Sequence, residues 1–126
     1  MGQHAAVITF AVIATSIYFI VFGTGLLARP ELAGRMGLQW TDPSGRTEIR
    51  CYYGALSWGL AGFLLYLLHR HHGLEALTGA TFLASAVLAS RVVGTFVDGG
   101  WREAYTKTAI PVEALFVVCL LAARWI

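Results

Sequence analysis

The chain is 126 residues long, the length of one domain, but its composition is not that of a soluble domain. Hydrophobic residues make up 57% and charged residues 13%, against about 25% charged in typical globular proteins. A soluble protein of this size could not bury so much apolar surface, so we predict a small membrane protein. The net charge of +2, without a basic run, excludes the electrostatic signature of nucleic-acid binding.

The first predicted span runs from Ala5 to Ala28 and carries no formal charge. As a helix, these residues would extend about 36 Å, which is enough to cross the hydrocarbon core with some tilt. A cleaved signal peptide would begin with basic residues, and Met1–His4 contains neither Lys nor Arg. We therefore expect this segment to be retained.

The second predicted span covers residues 51–68 and is just long enough to cross. Glu48 and Arg50 precede it, and the segment 69–72, with three histidines and an arginine, follows it. The connection before it is too polar to span, although residues 31–38 could form a short interfacial helix.

The third predicted span covers residues 74–97 and contains Arg91, and Asp98-Gly99-Gly100 supplies the stop and the turn after it. The fourth covers residues 109–123 and contains Glu113. If Thr108 caps this helix, Pro111 falls in the first turn, where its missing N–H has no intrahelical partner.

Helices are the economical interpretation of all four spans, because backbone polar groups in hydrocarbon must be satisfied within the segment. No stretch alternates like the strands of a membrane barrel. We therefore predict an all-α fold: a four-transmembrane-helix bundle with short loops that forms one domain over residues 1–126.

The orientation follows from the basic residues on each side of the bundle. Six lie in the connections between spans one and two and between spans three and four: Arg29, Arg35, Arg46, Arg50, Arg102 and Lys107. The opposite side has Arg70 and Arg124. The positive-inside rule therefore predicts that both termini face outward and that the two basic connections face the cytoplasm.

Arg91 and Glu113 are the most informative residues, because an ionisable side chain within a span is costly unless it faces protein, water or a counter-charge. Arg91 lies about 10 Å before Asp98, and Glu113 lies about 9 Å after Lys107. Both depths are measured from the same connection. Adjacent antiparallel helices would therefore bring Arg91 and Glu113 face to face.

Further polar residues share this side of the bundle. The predicted cluster consists of Glu48, Arg50, Tyr53, Arg91, Asp98 and Glu113. One interpretation is structural: Arg91 and Glu113 form an ion pair that fixes the helix register. Another is a polar pocket in which Arg91 or Arg50 binds an anionic headgroup and Glu113 positions a polar substituent or a proton. A proton relay is a third interpretation.

The remaining reactive residue types predict no further chemistry. His69, His71 and His72 at one helix end cannot all face one way, so we expect no metal site and no cofactor. No arrangement of serine, histidine and aspartate, phosphate loop or paired-cysteine motif is present, and we assign no catalytic residue. Cys51 and Cys119 are expected to stay unpaired, as packing residues.

Several short motifs resemble a bacterial family of small four-span membrane proteins, known as domain of unknown function 4345. They are the segment 48–54 (EIRCYYG), the segment 91–94 (RVVG), Asp98-Gly99 and Glu113. Where that family usually has two glycines after the tyrosine, this chain has Gly54-Ala55. The resemblance implies a bacterial inner membrane, and hence periplasmic termini. It also implies that the five charged members of the cluster form one site, but it supplies no activity.

Three functional hypotheses follow. The first, which the sequence favours, is the binding or transport of a small amphipathic or anionic ligand around Arg91 and Glu113, without enzymatic activity. The second is an accessory subunit of a membrane complex. The third is a lipid-modifying or isomerase-type enzyme that uses Glu113 or Asp98 as an acid or base. The expected partners are the lipid bilayer, a lipid or small amphipathic ligand, and a second copy of the chain or another membrane protein, but no nucleic acid.

Overall fold

A computed structural model describes residues 2–99 and 104–125, which are helical almost throughout and contain no strand. The elements are α1 (Gly2–Ala28), a 3-10 helix (Pro30–Met36), α2 (Pro43–Ile49), a π-helical segment (Arg50–Ala55), α3 (Leu56–His69), α4 (Gly73–Asp98) and α5 (Ala104–Trp125). α2, the π-helical segment and α3 run on continuously, which leaves four long helical rods.

Each of the four rods is long and apolar enough to cross a membrane. The prediction of an all-α bundle with four membrane helices is therefore confirmed, and the chain is a multi-pass integral membrane protein. Gly100 and Arg102, which the sequence assigns to a turn and to the charge count, lie outside the described residues.

The second rod begins at Pro43, eight residues before the apolar stretch that the sequence marks as its span. The Asp42 carboxylate accepts hydrogen bonds from the backbone N–H groups of Ser44 (3.0 Å) and Gly45 (3.3 Å) and from the Ser44 hydroxyl. These bonds, above all that of the hydroxyl, lower the pKa of Asp42. Asp42 thus caps a helix that carries Glu48 and Arg50 into the span.

The fourth rod also begins earlier than predicted, at Ala104. Pro111 consequently lies inside α5, and its predicted place in the first turn is wrong. Hydropathy marks the apolar part of a helix, and polar residues such as Thr106 and Lys107 can continue the helix beyond it. Since Pro111 has no N–H, the helical hydrogen bond to the Lys107 carbonyl is absent, and Pro111 lies two residues before Glu113.

The main hydrophobic core lies in the half of the bundle near the chain termini. It consists of Ile8, Val12, Leu64, Ala76, Leu77, Ala80, Leu120 and Ala123. A second, smaller core of Leu26, Ala33 and Ile49 lies under the 3-10 helix. Neither core includes the stretch of α4 and α5 around Arg91 and Glu113. Arg91 and Glu113 therefore lie outside both clusters of buried apolar residues.

α1 and the second rod approach most closely at two glycines. A Cβ atom added to Gly23 would lie 2.7 Å from the Gly54 carbonyl oxygen and 2.6 Å from Cδ1 of Trp58. A Cβ atom added to Gly54 would lie 2.7 Å from Cγ of Leu27. The contact thus requires that both positions lack a side chain, which explains the glycine at the end of the segment 48–54.

Both cysteines are free, and both lie on the outer surface of the bundle. Their predicted role as packing residues is therefore wrong. Cys119 directly precedes the buried Leu120 but points to the other side of α5. An α-helix has 3.6 residues per turn and buries one face, so the residue next to a buried one can face outward even in a strongly apolar helix.

Candidate functional site

α4 and α5 bring Arg91 and Glu113 into direct contact. The Nε atom of Arg91 donates to both carboxylate oxygens of Glu113, at 2.9 Å to Oε1 and 2.7 Å to Oε2. The side chains remain 26% and 25% exposed. Both hydrogen bonds to Glu113 use Nε, and neither uses the two Nη amino groups. These amino groups are thus available to a ligand that carries acceptor oxygens.

Tyr105 completes one side of this ion pair. The centre of its ring lies 5.3 Å from the Arg91 guanidinium carbon, within the range of a cation–π interaction. The sequence interpretation missed this residue, although Tyr105 precedes Glu113 by eight residues. Residues eight apart lie on nearly the same face of a helix, so the spacing could have revealed it.

An aromatic group from α1 lies next to this part of α5. The Tyr18 ring centre lies 6.0 Å from that of Phe116, one turn beyond Glu113, and 6.0 Å from that of Phe22. The ion pair therefore has an aromatic neighbour on each of two helices. Such surroundings limit the access of water and strengthen the attraction between the two charges.

An open groove on α4 ends at the Arg91 side chain. Its volume is about 370 Å³, and Ala86, Val87, Ser90 and Arg91 line it. Ala86 and Val87 give it an apolar floor, whereas Ser90 and Arg91 offer hydrogen-bond donors. The groove therefore has one apolar end and one polar end.

The other predicted site residues lie apart from this pair. Glu48 and Asp98 are exposed, the latter at the last residue of α4, which ends with Gly99 in the left-handed conformation at φ 75°. Tyr53 is 39% exposed. In the described residues, no hydrogen bond or ion pair links Glu48, Asp98, Tyr53 or Arg50 to Arg91 or Glu113.

Arg50 belongs instead to a second polar group at the surface of the bundle. There, Arg46 forms an ion pair with Glu31, and its guanidinium carbon lies 5.9 Å from the centre of the Trp40 ring. The pKa of Glu31 is lowered, first by its own backbone N–H and then by the charges of Arg46 and Arg50. The Nε atoms of both arginines are buried without a hydrogen-bond partner in the described part of the chain.

No pattern in the sequence indicated this second polar group. Glu31 and Arg46 are 15 residues apart, on opposite sides of an irregular connection. No helical spacing relates such residues. A cavity of about 520 Å³ lies beside the pair, lined by Glu31, Trp40, Thr41, Asp42, Pro43 and Arg46.

The described residues offer no metal centre. Within the ranges 2–99 and 104–125, no three His, Cys, Asp or Glu side chains come together in a way that could hold a metal ion.

The fold and the arrangement of charges define the class of protein: a four-span integral membrane protein with an Arg–Glu ion pair between its last two helices. Comparison with known protein families identifies the family. Residues 5–124 match the family described as Domain of unknown function (DUF4345), and the chain belongs to this family. No curated protein and no solved structure matches the chain significantly.

Proposed function

We propose that this protein binds, or carries across the membrane, a small amphipathic ligand with anionic or acceptor oxygens, in the groove that ends at Arg91 and Glu113. The observation that carries the proposal is that Arg91, which is paired with Glu113, lines one end of an open groove on the surface of α4. A purely structural ion pair would be expected to lie enclosed between its helices, whereas both of these side chains remain about a quarter exposed.

Arg91 supplies the contact to the polar end of the ligand. Its Nε serves Glu113, and the four N–H donors on its Nη atoms can bond a phosphate, sulfate, carboxylate or carbonyl oxygen. Glu113 and the Tyr105 ring hold the guanidinium in place, so little side-chain entropy is lost on binding. The Ser90 hydroxyl adds a further donor beside the same end.

The apolar part of the ligand lies along Ala86 and Val87. These side chains are exposed and line the groove towards the middle of α4. Because α4 crosses the membrane, an alkyl chain or ring placed there packs against these side chains by van der Waals contact in place of a lipid acyl chain. The ligand is therefore amphipathic, with its polar end towards Arg91.

Filling the groove without changing any charge tests this proposal. We expect Ala86→Phe to lower the affinity of a co-purified ligand at least tenfold, because the phenyl ring occupies the apolar floor. Ala89→Phe is the matched control, since Ala89 is exposed on the same helix but does not line the groove. Native mass spectrometry of the purified protein in mild detergent measures the retained ligand. Equal retention by the two variants would contradict the proposal.

We further infer that the membrane is the bacterial inner membrane and that both termini face the periplasm. The excess of Lys and Arg in the connections 29–42 and 99–103 and the adjoining helix starts supports this orientation. Cysteines introduced near residues 3 and 125 should react with an impermeant thiol reagent from the periplasmic side. Labelling from opposite sides of the membrane would rule the orientation out.

A further inference from the structure

A second arginine lies between α4 and α5, at the other end of the bundle from Arg91. Arg124, in the last turn of α5, donates through Nη1 to the Thr78 hydroxyl on α4. Thr78 and Arg91 are thirteen residues apart on α4, about 20 Å along the helix. The two arginines thus mark two separate places along one interhelical contact.

Unlike Arg91, Arg124 has no carboxylate partner among the residues that the structure describes. Among the described residues, no Asp or Glu lies within ion-pair distance of Arg124. Glu75, near the same end of the bundle, lies 3.7 Å from His72 instead. Thr78 is a neutral partner, and its own hydroxyl also donates to the Leu74 carbonyl. Within the described part of the chain, the guanidinium therefore has one neutral partner and no counter-charge.

A groove of about 340 Å³ begins at this guanidinium. It is lined by Thr78, Thr81, Phe82, Ser85, Leu121 and Arg124. Its exposed surface is mainly apolar, with Phe82 and Leu121 on its two sides, 74% and 42% exposed. In a membrane-spanning bundle, such a groove faces acyl chains, and its charged end lies at the depth of the lipid headgroups.

We propose that this groove binds an anionic phospholipid, with the phosphate on Arg124 and one acyl chain between Phe82 and Leu121. Charge complementarity selects the occupant, because a full positive charge at the headgroup depth favours an anionic lipid over a zwitterionic one. The apolar sides of the groove favour a lipid over a free anion. This site is independent of the ligand proposed for Arg91, where Glu113 already neutralises the arginine.

The test uses the full chain in a neutral detergent, to which phosphatidylglycerol, phosphatidylcholine or inorganic phosphate is added. We expect phosphatidylglycerol to raise the midpoint of thermal unfolding, since a ligand that binds the folded state stabilises it. Arg124→Gln should need about tenfold more phosphatidylglycerol for the same rise, as expected when a charge-assisted contact is lost. Arg70→Gln is the matched control, because Arg70 is exposed at the same end of the bundle but does not line the groove.

A second pair of variants tests the groove without changing charge. Leu121→Trp should weaken the effect of phosphatidylglycerol by filling the groove, whereas Leu115→Trp, at an exposed site elsewhere on α5, should not. An equal response of Arg124→Gln and the unmodified chain would overturn the proposal. So would equal stabilisation by inorganic phosphate alone, which would identify a free-anion site, or by phosphatidylcholine, which would remove the role of charge.

Discussion

Replacing either Arg91 or Glu113 alone with an apolar residue of similar size is expected to destabilise the protein strongly. Arg91→Met leaves the Glu113 carboxylate without its counter-charge, and Glu113→Leu leaves the guanidinium without one. Removing one partner of a buried ion pair costs about 3–5 kcal/mol, most of it from the charge that remains. Because both side chains are about a quarter exposed, we expect a loss near the lower end of this range. Thermal unfolding in detergent measures both losses.

The double variant Arg91→Met/Glu113→Leu should recover most of the stability lost by either single variant. It leaves no unpaired charge, and two apolar side chains can pack in the same space. If the losses of the two single variants simply add in the double variant, the residues do not interact energetically. The close contact between Nε and the carboxylate would then contribute nothing to stability.

Substitution of Gly23 is expected to have a comparably large effect, through packing instead of charge. Gly23→Ala places a methyl group 2.7 Å from the Gly54 carbonyl oxygen, which is part of the backbone and cannot rotate away. α1 and the second rod must then move apart, and overpacking of this kind typically costs about 1–3 kcal/mol.

Gly59→Ala is the matched control for this substitution. Gly59 lies on α3, and a Cβ atom there meets nothing within 4 Å. Because alanine favours a helix over glycine by about 0.5–1 kcal/mol, this variant should be neutral or slightly more stable. Equal losses in Gly23→Ala and Gly59→Ala, measured by unfolding in detergent, would show that the close helix contact is not what constrains Gly23.

Hydropathy and charge predicted much of this fold, because the bilayer imposes a helix length and a cost on each charge. The second and fourth helical rods begin earlier than the sequence predicts, at Pro43 and Ala104. Both starts lie in polar sequence, where hydropathy carries no information about helical structure. The π-helical segment Arg50–Ala55 could not be predicted either. It contains Gly54, where α1 packs closely, and a tertiary contact of this kind has no local signature in the sequence.

Arg91 and Glu113 lie at similar distances along their helices from the connection between α4 and α5. Because these helices are adjacent and antiparallel, this was enough to suggest that the two side chains meet. The same register relates Thr78 to Arg124, which lie thirteen residues before Arg91 and eleven after Glu113. For Arg50, shared depth is accompanied by no hydrogen bond or ion pair to Arg91 or Glu113 among the described residues. Depth does not determine which way a side chain points around its helix, and Arg50 contributes to the group around Glu31 instead.

The most direct test of the ligand site is the retention of ligand by the double variant Arg91→Met/Glu113→Leu. The measurement is native mass spectrometry in mild detergent, with Arg124→Gln present in both samples so that lipid at the other groove does not contribute. The proposal predicts that the chain with Arg91 and Glu113 retains a bound amphipathic molecule, and that the double variant remains folded but loses it. Equal retention by a folded double variant would contradict a ligand site at this ion pair.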